Sequence, residues 1–233
     1  VTLAAAISQL LAGAPVALIA GLDRMPVGQF MVCRPLVCAP LAGLVVGQLE
    51  AGLAIGVLAE LLWLGRLPVG ATVPPDDTQA AIGAVVLASL LSSGEPASAA
   101  MILFCLLLAL PLARVGQLFD HWARRRNDLL PARLERRLAA GDDAAIERTH
   151  LSGLANFVLA CLATYLFVVL VGWIAGSVLE PLVLPVVTRA RIPVELSLPL
   201  VGASVLVATL NVSRSMTLFC ASFLAVYLAR WVL

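Results

Sequence analysis

Apolar residues in this chain come in long blocks divided by short polar seams. Leu3 to Leu22 runs twenty residues without a charge, enough for one spanning helix. Pro15 predicts a kink or a division within it, and Asp23-Arg24 ends it. A glycine-spaced stretch follows from Arg34 to Asp77, reading RPLVCAPLAGLVVGQLEAGLAIGVLAELLWLGRLPVGATVPPDD. Its two apolar blocks, Leu36–Leu49 and Gly52–Gly65, are fourteen residues each. A helix of that length reaches only about 21 Å, whereas the hydrocarbon core is roughly 30 Å thick. The pattern predicts a re-entrant helical hairpin turning at Glu50-Ala51. Such backbone persists at membrane depth only where protein or a water-filled cavity covers it.

Further blocks run from Thr78 to Gly94 and from Ala97 to Ala113, with a turn at Ser93-Gly94-Glu95-Pro96 between them. Leu151 to Leu179 holds no Asp, Glu, Lys, Arg or His for twenty-nine residues. At about 43 Å as a helix, it predicts a tilted span or one that passes beyond the bilayer. Glu180 to Glu195, with its prolines, reads as a connector. Leu196–Ser213 and Ser215–Ala229 are separated only by Arg214, which predicts one long bent helix or a second re-entrant hairpin.

The segment from His121 to His150 differs from the rest. It holds seven of the fifteen basic residues, and every basic residue in the chain is Arg. The positive-inside rule places it in the cytoplasm as a basic loop. Leu129, Leu130, Leu134 and Leu138 recur at helical spacing within it, predicting an amphipathic surface helix.

Composition agrees with this pattern. The chain is 61% hydrophobic and 12% charged, with a mean hydropathy of +1.02; a soluble domain carries about 25% charged residues. The expectation is an all-α, polytopic integral membrane protein, a single membrane domain over residues 1–233. A net charge of +1 lends no support to a nucleic-acid partner. Five cysteines at 33, 38, 105, 161 and 220 contain no CxxC pair, so neither a metal site nor a disulfide framework is indicated; each reads as a small packing residue. The first apolar run lacks a basic leader, and no removable signal peptide is expected. No nucleotide-binding loop occurs, and no cofactor is implied.

The chemistry concentrates in few residues. Glu60 lies inside the glycine-spaced run, where an ionisable group marks a substrate or ion site by default. As an acceptor-only carboxylate it can take two donors from a polar ligand, or it can pair with Arg66 or Arg34 for assembly alone. Asp76 and Asp77 follow Pro74-Pro75 and can cap the helix starting near Thr78 or meet a ligand. Arg34 can pair with Asp23 or snorkel to the interface. Gly43/Gly47 and Gly52/Gly56 space small residues four apart, as close helix packing in a membrane requires. Asn211, in the last apolar region beside Arg214, needs a partner when buried and can bind ligand. His121 and His150 lack the supporting acid that a phosphoryl-accepting histidine needs, so no catalytic residue is assigned.

The order and spacing of several elements resemble the membrane subunit IIC of the mannose/fructose/sorbose family of sugar phosphotransferase systems. They are Leu22-Asp23, Arg34-Pro35-Leu36, Gly43 and Gly47, Gly52 and Gly56, Leu58-x-Glu60, Leu64-Gly65, Val69-Gly70-Ala71 and Pro75-Asp76. Asn211-x-x-Arg214 looks like a second, weaker element. The resemblance implies a permease component in the bacterial inner membrane that holds a hexose for phosphorylation by a separate subunit, IIB. It implies a membrane partner IID, cytoplasmic partners IIA and IIB, and a trimer of IIC–IID pairs. Under it, Glu60, Asp76, Asp77 and Asn211 bind substrate, while Asp23, Arg34, Gly47, Gly56, Gly65 and Gly70 are structural or gating, and residues 34–77 form the hairpin and substrate loop. The competing expectations are a non-transporting sugar receptor or regulatory subunit of the same family, and an unrelated small-solute exporter.

Overall fold

A computed structural model describes residues 3–64, 73–189, 194–209 and 214–232. These form nine helices and no strand among the described residues: α1 Leu3–Asp23, α2 Pro35–Val46, α3 Leu49–Trp63, α4 Asp77–Leu91, α5 Ala99–Asp128, α6 Leu130–Ala139, α7 Ala145–Arg189, α8 Val194–Thr209 and α9 Ser215–Val232. Among the described residues, three stretches are long and apolar enough to cross a membrane: α1, the stretch Ala99–Ala139 that begins with α5, and α7.

The fifteen-residue helix α4 organises the rest. Every residue of α4 from Thr78 to Leu90 is buried, as expected of a helix that is apolar all round. Helices α1, α2, α3, α5 and α7 all pack on it. Close approach depends on small residues: α1 presents Ala6, Gly13, Ala17 and Ala20. Three polar bonds tie α1 to its neighbours. The Tyr165 hydroxyl donates to the Leu10 carbonyl at 2.8 Å, while Gln79 Nε2 and Cys161 Sγ reach the Ala17 carbonyl at 2.8 and 3.0 Å.

Helices α2 and α3 pack against each other as an antiparallel pair. Pro35 opens α2 at its first helical position, where the missing N–H is no loss. The turn falls at Gly47-Gln48, three residues before the expected Glu50-Ala51. Its cause is Gly47, which takes the left-handed φ of +74° and lets Gln48 N donate back to the Gly43 carbonyl at 2.6 Å; glycine closes helices this way because it has no Cβ to clash. Gly47 is therefore a turn residue and not part of the contact between the arms, as its spacing suggested. Gly43, Gly52 and Gly56 make that contact. A Cβ on them would stand 2.6 Å from the Gln48 carbonyl oxygen, 2.6 Å from that of Ala39 and 2.8 Å from that of Pro35, respectively. The arms hold 12 and 15 residues, about 18 and 22 Å, both shorter than the hydrocarbon core.

Other boundaries also differ from expectation. Pro15 does not divide α1, which runs unbroken for 21 residues. The expected loop from His121 to His150 is mostly helical: α5 continues to Asp128, α6 takes the leucine-spaced stretch, and α7 begins at Ala145. The Glu180–Glu195 connector is largely absent, because α7 runs through Pro181 and Pro185 to Arg189, 45 residues in all. Proline deletes single bonds, but apolar surroundings offer the remaining backbone groups no partner other than the helix itself. At the C-terminal end, Arg214 adopts a left-handed φ of +64° and precedes α9. The last apolar region is thus two helices, not one bent helix.

Gly52→Leu should disrupt the α2–α3 pair, because backbone occupies the needed space and overpacking costs about 1–3 kcal/mol or more. Val45→Leu, on the exposed side of α2, should leave the protein unchanged. Monodisperse yield on detergent size-exclusion chromatography separates the two; an intact Gly52→Leu protein would contradict the packing.

Candidate functional site

Five helix segments meet at one level: the end of α1, the start of α2, the end of α3, the start of α4 and the middle of α5, with α7 passing alongside. A cavity of about 340 Å³ lies there, lined among others by Arg24, Arg34, Asp76, Asp77, Gln117 and Asp120. That volume falls within the roughly 300–1,000 Å³ of small-molecule sites.

Asp76 is the N-cap of α4, its carboxylate accepting from Gln79 N at 3.0 Å. The same carboxylate meets Arg24 at 2.7 Å, and Asp77 lies 3.4 Å from the other guanidinium nitrogen. Arg24 also donates to the Pro75 carbonyl at 3.2 Å. One guanidinium thus holds the whole Pro75-Asp76-Asp77 corner, as its fork geometry allows. Burial pushes the Asp76 carboxyl up from the ordinary aspartate range, against the pull of Arg24 and the Gln79 N–H.

Asp23 is buried and bonds backbone rather than Arg34. Its two oxygens accept from Phe30 N at 2.6 Å and Cys33 N at 3.1 Å, folding the connector between α1 and α2 against the cavity. Arg34 pairs with Glu60 instead of Asp23 or the interface alone. Glu60 also accepts from Leu36 N at 3.4 Å, one of the unpaired donors that open α2. Arg34 lines the cavity and Glu60 does not, so Glu60 stands one side chain away from it. Gly56 lies one turn before Glu60 and allows α3 to approach the Pro35 backbone. Gly65, Arg66, Gly70 and Asn211 lie outside the described residues.

Several lining residues were missed by sequence reasoning. Arg24 was read only as the end of the first helix, yet it is the cation that Asp76 and Asp77 share. Gln117 and Asp120, one turn apart on α5, line the cavity along with Arg124 and Thr164. Gln117 Nε2 donates to the Val73 carbonyl at 2.6 Å, and Arg124 Nε pairs with Asp120 at 2.9 Å. Their polarity just past the apolar block Ala97–Ala113 was the available signal. Gly116 permits the crowding, since a Cβ there would stand 2.7 Å from Thr164 Cγ2 and 3.1 Å from Asp76 Cβ. The lining therefore mixes three Asp and three Arg with amide and hydroxyl groups, a surface rich in both donors and acceptors. No cluster able to hold a metal ion occurs among the described residues.

Arg24→Gln should lower the melting temperature in detergent more than Arg34→Gln. Arg24 serves two carboxylates and is 21% exposed, whereas Arg34 serves one and is 44% exposed. Leaving a partly buried charge unpaired is the costly change. The Arg24→Gln/Asp76→Asn double variant should recover part of the loss; no recovery would show that Arg24 acts through something other than this pair.

Comparison with known proteins fits this architecture. Residues 7–232 match the family model described as the sorbose-specific IIC component of the phosphotransferase system. The mannose-specific EIIC component of Escherichia coli (strain K12) is 32% identical over 139 residues, 60% of this chain and 49% of the relative. The sorbose-specific EIIC component of Klebsiella pneumoniae is 34% identical over 106 residues, 46% of this chain and 37% of the relative. The matched stretch spans about half the length, or less, of these relatives. A cryo-EM structure described as the mannose transporter ManYZ in complex with microcin E492 shares the fold, with a TM-score of 0.58 at 23% identity over 94% of this chain and 86% of that one.

Proposed function

This chain belongs to the family of sorbose-specific IIC components of the phosphotransferase system, and we propose that it is the subunit that binds and translocates a hexose. The observation that carries the reading is the cavity at the level where α1, α3 and the N-termini of α2 and α4 meet, lined by paired carboxylates, guanidiniums and an amide. A hexose entering it loses water from several hydroxyls, and each unpaired one costs about 1–3 kcal/mol. Asp76 and Asp77 offer charge-assisted acceptance, roughly twice as strong as neutral hydrogen bonds. Glu60 joins them when Arg34, which it shares with the cavity wall, releases it to a sugar hydroxyl. Asn211 completes the proposed substrate set.

Side matters as much as contact. Past Arg124, the last of its residues to line the cavity, α5 continues to Asp128, about 6 Å, and carries Arg125 and Arg126. The cavity therefore shares its side of the molecule with the arginine-rich segment. By the positive-inside rule that side is cytoplasmic, where a phosphorylated IIB subunit can reach the bound sugar. The phosphoryl donor is not assigned to this chain. The hairpin is re-entrant in this reading, and its movement against the other helices exposes the sugar to each face in turn, as in transporters with broken helices. The partners are a IID subunit in the membrane, with IIA and IIB in the cytoplasm, and the assembly is a trimer of IIC–IID pairs in the bacterial inner membrane. Support for a membrane partner comes from the fold shared with the mannose transporter structure.

Glu60→Gln should abolish or strongly weaken hexose uptake while insertion and co-purification with a IID subunit remain normal. Uptake assays in cells carrying the full set of subunits test this, and normal uptake by a well-expressed variant removes Glu60 from the site. Cysteine-accessibility labelling of Ala132→Cys should succeed only from the cytoplasmic side; labelling from outside would reverse the orientation.

A further inference from the structure

One feature takes no part in the cavity: the short helix α6 between the two longest helices. Its sequence, LPARLERRLA, places Leu130, Leu134 and Leu138 on one face, Arg133 and Arg137 on the adjoining flank and Arg136 toward the opposite, polar face at 100° per residue. None of its residues is buried. Leu129 and Leu138 are exposed, as is Trp122, with the Arg126 guanidinium 5.2 Å from its ring centre. Among the described residues, carboxylates pair with Arg124 and Arg148 in this region, but with none of Arg125, Arg126, Arg133, Arg136 and Arg137.

Its level follows from the neighbouring helix. Asn127, at the end of α5, donates to the Gly153 carbonyl at 3.2 Å and accepts from Asn156 at 2.7 Å. Leu130 Cδ1 lies 3.5 Å from where a Cβ on Gly153 would stand. Gly153 is two residues into the charge-free run of α7, which begins at Leu151 with more than half of its surface exposed. The first turn of α6 therefore stands at the edge of the apolar belt and not out in solvent.

We propose that α6 is an interfacial helix that binds anionic phospholipid headgroups, with its leucines in the acyl boundary and Arg133, Arg136 and Arg137 on the phosphates. Leucine beside arginine at the membrane edge is the composition of such helices. Guanidinium groups bind phosphate bidentately, and one arginine near an anionic surface improves partition roughly fivefold. An acidic protein partner would match the charges but would not explain why the leucine face lies level with the start of the belt. The proposal requires only that the chain is membrane-embedded and holds whether or not it carries sugar.

The test places an environment-sensitive fluorophore at Leu138→Cys, with Cys33 and Cys220 changed to Ser. The full chain is reconstituted in vesicles of phosphatidylcholine alone or of phosphatidylcholine with phosphatidylglycerol. Phosphatidylglycerol should shift the emission to the blue and reduce quenching by neutral acrylamide severalfold. Arg133→Gln/Arg136→Gln/Arg137→Gln should lose that difference, and the corresponding Lys triple should keep most of it. Monodispersity of both triples excludes misfolding as the cause. Equal quenching in the two vesicles would overturn the proposal, as would a lipid effect that survives in the Gln triple. Protection in pure phosphatidylcholine given only by an added acidic soluble protein would assign the face to a protein instead.

Discussion

The enclosure of α4 is the constraint on which the other helices depend. A helix buried from Thr78 to Leu90 has no outward face, so its neighbours must come close on every side. In lipid, helices gain little from hiding apolar surface and must associate through tight packing and interhelical polar contacts. Hence the alanines and glycine of α1, the glycine contacts of the α2–α3 pair, and Gly83, Gly172 and Gly176, whose missing Cβ atoms leave room for Val168, Leu87 and Leu91. The polar bonds from Tyr165, Gln79 and Cys161 to the α1 backbone then select one register among the close-packed alternatives.

Burial of α4 also dictates where charge can go. At its N-terminus unpaired backbone donors meet acidic side chains, and Asp76 supplies the cap. A carboxylate there would be stranded without a cation, and Arg24 arrives from the end of α1. Arg34 and Glu60 repeat the arrangement across the start of α2 and the end of α3. Two ion pairs, each built on a helix terminus, thus flank a single cavity, and the same residues serve both the fold and the proposed sugar site.

How much of this was legible in the sequence follows from the range of each signal. Charge-free block length identified α1 and the core of α7, and the shortness of the two glycine-spaced blocks identified a helix pair. Boundaries failed where apolar surroundings suppress the usual breakers. Pro15, Pro181 and Pro185 did not end helices, and arginines after Phe119 did not end α5. The hairpin turn was misplaced because Glu50-Ala51 is the midpoint by hydropathy, whereas φ at Gly47 is set by the backbone. In the site, Asp76 and Asp77 were legible as acids after a proline pair. Arg24, Gln117, Asp120 and Arg124 were not, because their meeting depends on three helices distant in sequence. The pairing of Glu60 with Arg34 spans 26 residues and was open until the hairpin brought its two ends together.

The hairpin is held unevenly along its length. At its tip, Gln48 donates to the Glu95 carbonyl at 2.6 Å and accepts from Ala97 N at 3.1 Å, stitching the turn to the connector between α4 and α5. At its open end the polar ties to α4 among the described residues are Thr78 Oγ1 on the Cys33 carbonyl at 2.8 Å and the long contact of Cys38 Sγ with the Thr78 carbonyl at 3.9 Å, while the Arg34–Glu60 pair joins only its own two arms. In the movement proposed above, the α2–α3 pair acts as a lever pinned at its tip. With an arm of about 18 Å, a swing of roughly 10° about Gln48 displaces the cavity wall by some 3 Å, about the length of one hydrogen bond. In the movement proposed for sugar transfer, Gln48 at the tip is the fulcrum, and its two bonds set how far the wall can open.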